Sequence, residues 1–345
     1  EYSLRALKKY PDHLDSIYML TVLAGEEKNW RELLEYGRRF LALRDLFETH
    51  PERAGVVLNS SIREGWRIHS LLGHAHHALN DLPAMENHYR TAVETAADKW
   101  RCLLHIAIYH LERSQDMELA GRYLDLTRQE ASDEPAVWFV AAKWHHLLGD
   151  QEGERKSLVR LFELGTDDTS MLNRLARLSL AVGDLDTAAA SLDALVTIQP
   201  DDYEALCNLG DLKRRHHDLA GAVEVLGRAV ALNPTPVLPW LQLGEISLQL
   251  KDWKNAEAFF ARVLTLEGSN LQALLYLCET ELRQDRLEGF IARCDRLLAE
   301  LGLPRQRTLH SFDDLVALVE EIRDVLPATE GFAVQTATIL SLLPR

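Results

Sequence analysis

The sequence has few cysteines, no long apolar stretch and fewer basic than acidic side chains, and each shortage removes a class of function. Its four cysteines, Cys102, Cys207, Cys278 and Cys294, show no Cys-x-x-Cys spacing, so neither a zinc ribbon nor a disulfide framework is expected. All four fall inside helical apolar patterns, where a free thiol serves as a small buried hydrophobe. A reducing, cytoplasmic setting is the expectation. No apolar run approaches the roughly 20 residues that a membrane-spanning helix needs, and no signal peptide is read at the start. Lys and Arg number 38 against 53 Asp and Glu, a formal charge of −15. Nucleic acid requires a basic face that displaces counterions, and anionic membranes attract the same kind of face. Neither partner is expected.

Signatures of catalysis are also missing. The chain has no Gly-x-Gly-x-x-Gly, no P-loop, no His-Glu-x-x-His and no Gly-x-Ser-x-Gly, so no dinucleotide, nucleotide, zinc-protease or hydrolase site is suggested. No cofactor and no metal site is expected, and the chain reads as non-enzymatic. Asp184-Leu185-Asp186 has the Asp-x-Asp form that binds metal in many glycosyltransferases. It lies between two helical patterns, however, where an acidic residue caps the next helix.

What the sequence has is self-similarity. Leu206, Leu209, Gly210, Ala222, Leu226, Ala229 and Pro234 are matched one period of about 34 residues upstream by Leu172, Leu175, Ala176, Ala188, Leu192, Leu195 and Pro200. Downstream, the same step gives Trp240, Leu243, Gly244, Ala256, Phe260 and Val263. Further upstream it gives Trp138, Ala141, Ala142, Leu158 and Leu161, then Leu104, Ala107, Ala120 and Leu124, and finally, slipped by one residue, Leu72, Gly73, Tyr89 and Ala92. Apolar residues recur at helical spacing within each unit. Turns such as Asn80-Asp81, Gly149-Asp150, Gly183-Asp184 and Lys251-Asp252 divide each unit into two helices, with Asp placed to cap the second. Small residues at Ala176, Gly210, Ala222 and Gly244 would let paired helices approach, while Leu226 and Phe260 would fill the space between them.

The spacing resembles the Trp-x2-Leu-Gly-x2-Tyr…Ala-x3-Phe…Pro pattern of the tetratricopeptide repeat. The resemblance implies an all-α fold, a right-handed α-solenoid of antiparallel helix pairs. Residues 66–304 read as seven such repeats. Residues 1–13 read as the second half of a repeat whose first half is missing, so a longer parent chain is expected. Residues 14–65 read as an irregular first repeat, with Leu14, Ile17, Leu20, Leu33 and Phe40 as its apolar positions and an insert over Arg44–Gly65. The insert is either an extension of a helix pair or a loop around His50-Pro51-Glu52. Residues 305–345 read as two capping helices, the first opened by Ser311-Phe312-Asp313-Asp314 and running to about Leu326, the second from about Gly331 to Leu342. A solenoid needs such a closing unit over its last apolar face.

In this family ligands contact the inner side of each first helix. Carried onto this sequence, that face holds His74, His77, His105, Tyr109, Phe139, Lys143, His146, Asn173 and Arg177, followed by Asp211, Arg214, Arg215, Glu245 and Glu279. The resemblance implies a protein or peptide partner. The cationic, aromatic and amide character of the middle of this face suits an acidic segment or a free carboxyl terminus. The two-carboxylate clamp of chaperone-binding relatives is not intact, because Asn208 is flanked by Asn173 and Arg177 on one side and by Leu238 and Gln242 on the other. Asn173 and Asn208 do not form the asparagine ladder of the nucleocytoplasmic N-acetylglucosamine transferase either. Histidines are abundant, among them His69, His76, His110, His145, His216 and His217. His74 and His77 share a helix face, but no carboxylate is visibly convergent with them, and they read as groove or surface residues.

Two further readings remain. The runs Glu1–Leu7, Tyr10–Ser16, His50–Arg53 and Glu64–Arg67 resemble repeats that follow the catalytic domain of bacterial family-2 glycosyltransferases, which would make this chain an accessory region of such an enzyme. Alternatively the chain is a structural assembly scaffold, with Trp30, Phe47 and Val56-Val57 as surface anchors. Trp30 and Phe47 read more readily as core.

Overall fold

The computed structural model describes residues 2–50, 65–303 and 311–343. The chain divides into two compact units, 1–166 and 167–345. All regular structure among the described residues is helical. In the first unit α1 (Tyr2–Lys9), α2 (Leu14–Glu26) and α3 (Trp30–Thr49) precede α4 (Gly65–Ala78) and α5 (Leu82–Thr95). Then follow α6 (Lys99–Tyr109), α7 (Met117–Glu130), α8 (Pro135–Leu148) and α9 (Gln151–Glu163). The second unit begins with α10 (Thr169–Val182), α11 (Leu185–Ile198), α12 (Tyr203–Arg215), α13 (Leu219–Leu232) and α14 (Val237–Gln249). It continues with α15 (Trp253–Leu266), α16 (Leu271–Arg283), α17 (Leu287–Glu300), α18 (Phe312–Val325) and α19 (Glu330–Leu342). Each unit is an α-solenoid of antiparallel helix pairs, as the repeat period predicts.

Boundaries follow from local chemistry. The carboxylates of Asp81, Asp150, Asp184, Asp218 and Asp252 each accept the backbone N–H of the third residue of the next helix, satisfying a donor with no intrahelical partner. Asp184 is among them, so one oxygen of the Asp-x-Asp triplet is committed to a helix cap. The residue before each of these aspartates lies in the left-handed region, as Asn80 (φ 60°), Gly149 (φ 72°), Gly183 (φ 79°), His217 (φ 60°) and Lys251 (φ 60°). Only glycine adopts that conformation without steric cost. Before α18, Ser311 and Asp314 form a reciprocal capping box.

Paired helices approach where the small residues stand. A Cβ on Gly210 would meet the Leu226 side chain at 2.6 Å, and one on Gly244 would overlap the Phe260 ring. The first unit repeats the device with Gly73 against Tyr89. Leu226, Phe260, Leu72 and Tyr89 are buried accordingly, each worth roughly 1.5–3 kcal/mol of apolar transfer. In the first unit one apolar cluster joins Leu14, Ile17, Leu33, Phe40, Ile68 and Leu72, and a second joins Tyr89, Cys102, Ile106 and Leu124. In the second unit Phe260, Leu274, Phe290 and Leu297 are continuous with Leu318 and Ile339 of α18 and α19. Those two helices thus cover the last apolar face. Cys207 departs from expectation: it is only half-buried, whereas Cys102, Cys278 and Cys294 are buried.

α3 runs for 20 residues, longer than the 13 or 14 of a helix such as α2 or α5. Residues 51–64 of the insert, with Val56 and Val57, lie outside the described residues, as does the side chain of Phe47. No helix among the described residues is long and apolar enough to cross a membrane.

Candidate functional site

In the first unit α2, α4 and α6 border a recess of about 290 Å³, at the small end of ligand pockets. His74, His105 and Tyr109 line it together with Trp30, Lys28, Glu112 and Arg113. The recess has the size of one large side chain rather than of a dinucleotide. Its wall is a packed aromatic array. The rings of His74 and Tyr109 stack at 3.6 Å between centroids and 4° between planes, and the Tyr109 hydroxyl donates to the backbone carbonyl of His74 at 3.3 Å. Buried Ser70, one turn before His74 on α4, joins His74 Nε2 at 3.3 Å and His105 Nδ1 at 3.1 Å. A hydroxyl has one hydrogen, so Ser70 donates to at most one of the two imidazoles.

Burial sets the charge of this wall. It holds the pKa of His74 well below the usual value, an effect reinforced by His105, His110 and His77. Burial, with Arg67 adding to it, brings His105 down to about 4. Both rings are therefore neutral at pH 7, and the wall is aromatic rather than cationic. Burial also raises the Tyr109 phenol. Positive charge is confined to the rim, where Lys28 and Arg113 stand with Glu26 and Glu112. Lys143 pairs with Glu112 at 2.6 Å, which leaves the other rim charges a net positive balance.

The structure distributes the remaining predicted residues. His77 is half-buried on α4 and contacts Asp116. Phe139 packs against the apolar cluster around Ile106 and Leu124. His146 is exposed and contacts the buried Glu154 at 3.2 Å. Asn173 and Arg177 belong to the second unit, where they line a separate cavity of about 360 Å³ with Arg174, Gln199 and Asp202. No carboxylate pairs with Arg177 among the described residues. Of the other residues expected on the inner face, Arg214 and Arg215 are both paired with Asp211. Glu279 is buried, bonded to Arg283 and to Gln335 of α19.

Sequence reasoning missed Lys28, Trp30, Glu112 and Arg113 in the recess. Trp30 and Lys28 precede the insert, where the repeat register slips. Glu112 and Arg113 lie in a π-turn, His110–Ser114, whose wider winding rotates them off the regular grid. Trp30 also packs against the core of its unit, so its core and recess-lining positions coincide.

The family profile of the tetratricopeptide repeat matches residues 173–235 and 207–270. No curated protein sequence matches the chain. Among solved structures, MamA is similar with 16% identity and a TM-score of 0.42, covering 46% of this chain and 93% of its own. YrrB, described as a TPR protein with an unusual peptide-binding site, shows 13% identity and a TM-score of 0.40 over 54% of this chain and 95% of its own. PilW, described as a widely conserved type IV pilus biogenesis factor, shows 16% identity and a TM-score of 0.37 over 59% of this chain and 94% of its own. Residues 173–270 carry repeats that match the tetratricopeptide family profile.

Proposed function

We propose that the chain is a non-catalytic scaffold that binds an extended segment of a partner protein, with one side chain of that segment seated in the recess between α2, α4 and α6. The observation that carries this reading is the recess itself: a side-chain-sized cavity, walled by the His74–Tyr109 stack and His105, with Trp30 beside it. Rigid aromatic surface of this kind anchors a partner at low entropic cost. Lys28 and Arg113 on the rim favour a segment with acidic residues or a free carboxyl terminus. Asn173 and Arg177 supply a second surface of the same chemical preference in the other unit.

The test uses a peptide array synthesised with free and with amidated carboxyl termini, probed with the full chain. Expected binders carry an apolar or aromatic side chain next to an acidic group. Arg113→Glu should weaken them by at least about tenfold, the scale of a charge-assisted contact. Tyr109→Ala should do the same by opening the wall. Binders indifferent to both substitutions would place the interface elsewhere on the molecule.

A further inference from the structure

We propose that His77, His110 and Asp116 form a binding site for one divalent transition-metal ion of the zinc class. The three residues come from three different elements: α4, the π-turn and the residue capping α7. One ligand atom from each lies within 4.8 Å of the other two. A set of two imidazoles and one carboxylate matches borderline cations such as zinc, and three protein ligands leave a fourth position open to water or to a group from a partner.

The geometry goes beyond proximity. Asp116 uses Oδ1 to cap α7 by accepting the N–H of Leu119 at 3.0 Å, which leaves Oδ2 turned to His77 Nε2 at 3.3 Å. The other ring nitrogen of His77, Nδ1, is buried and has no hydrogen-bond partner. His110 is fully buried, with hydroxyls at both ring nitrogens: Tyr89 at Nε2 and Ser114 at Nδ1, each 3.0 Å away. Whichever nitrogen turns to the ion, the other keeps a hydroxyl that fixes its tautomer and orientation, as metal-bound histidines require.

Backbone irregularities assemble the group. The π-turn adds a residue to the helical winding at His110, and such turns recur at functional sites. It closes with Gln115 in the left-handed region (φ 57°), which delivers Asp116 to the head of α7. Asp116 follows a left-handed residue as Asp81 and Asp252 do, yet here the cap also faces two histidines.

The experiment uses the full, untagged chain, with zinc binding measured by calorimetry and cobalt binding by its visible spectrum. One zinc ion per chain is expected. Asp116→Asn keeps the cap, because asparagine also accepts the N–H of Leu119, and it should weaken zinc binding by at least about tenfold. His77→Gln should do likewise. His88→Gln is the control, because His88 and His69 make a separate imidazole contact at 3.1 Å, and it should leave binding unchanged. X-ray absorption of the wild-type zinc complex, which needs no variant to fold, should show two imidazole ligands. Absence of stoichiometric binding, loss in only one of the two ligand variants, loss in His88→Gln, or an imidazole count other than two would each overturn the assignment.

Discussion

The two units solve the same packing problem with different chemistry. The second unit is regular: its interior is chiefly aliphatic, with Leu274 and Leu297 clustered with Phe260 and Phe290, and Leu226 clustered with Val230, Leu243 and Ile246, and the family profile matches there. The first unit breaks the period with a lengthened α3 and a π-turn. It fills part of its interior with His74, His76 and His110, against Tyr89 and Tyr123. It also holds all but three of the chain's histidines, His216, His217 and His310. Aliphatic packing contributes stability that does not depend on pH, whereas imidazoles in a core tie stability to their protonation state. Regularity carries the family signal, and the departures from it carry the candidate chemistry.

The largest effect that would sharpen this contrast is Phe260→Ala. Phe260 is fully buried and its ring stacks on Tyr276 at 4.8 Å. Its truncation should cost about 3–5 kcal/mol, read from urea unfolding. A loss below about 1 kcal/mol would show that the regular unit does not depend on its aromatic fill. Gly244→Ala should cost about 1–3 kcal/mol, because the added methyl overlaps the Phe260 ring and a packed core resists overfilling.

Acid should separate the units next. His105 titrates at about 4 in the folded state because burial disfavours its charged form, against about 6.5 when unfolded. His69 is likewise lowered to about 4, chiefly by burial. Their contribution is complete above about pH 6.5 and falls as the pH drops towards 4, because the unfolded chain then binds protons that the folded chain does not. For His105 the loss at pH 5 is on the order of 2 kcal/mol. Labelling by a pyridyl disulfide that reacts in acid should show buried Cys102 of the first unit becoming accessible before Cys278 and Cys294 of the second. The reverse order would contradict the contrast.

The smallest effects concern the turns that both units share. Lys251→Gly should stabilise the second unit by about 0.5–1 kcal/mol by relieving the left-handed backbone. Asp218→Ala should cost about 0.5–2 kcal/mol through the lost cap. Thermal unfolding reads both, and an unchanged midpoint in Asp218→Ala would show that the cap does not set the helix start.

The frame was legible because its determinants are local and periodic. Gly210 opposite Leu226, Gly244 opposite Phe260 and an aspartate after most of the turns within helix pairs can be read by counting residues. Helices α18 and α19 were visible from Ser311–Asp314 and the apolar spacing that follows. The site was less legible because it forms where counting fails. Trp30 and Lys28 reach the recess across the insert. Asp116 reaches His77 only through a π-turn that no residue preference announces. The neutrality of His74 and His105 follows from burial, which spacing alone does not supply. A face that reads as cationic is therefore largely aromatic in the folded chain.

The most direct measurement of the central claim is hydrogen exchange of the full chain with and without an acidic, aromatic-bearing peptide selected from the array. Added protection is expected in α4 and α6, around His74, His105 and Tyr109, with its loss in the Arg113→Glu chain. Protection confined to segments away from α2, α4 and α6, or unchanged by Arg113→Glu, would contradict the assignment of the first unit's recess as the binding site.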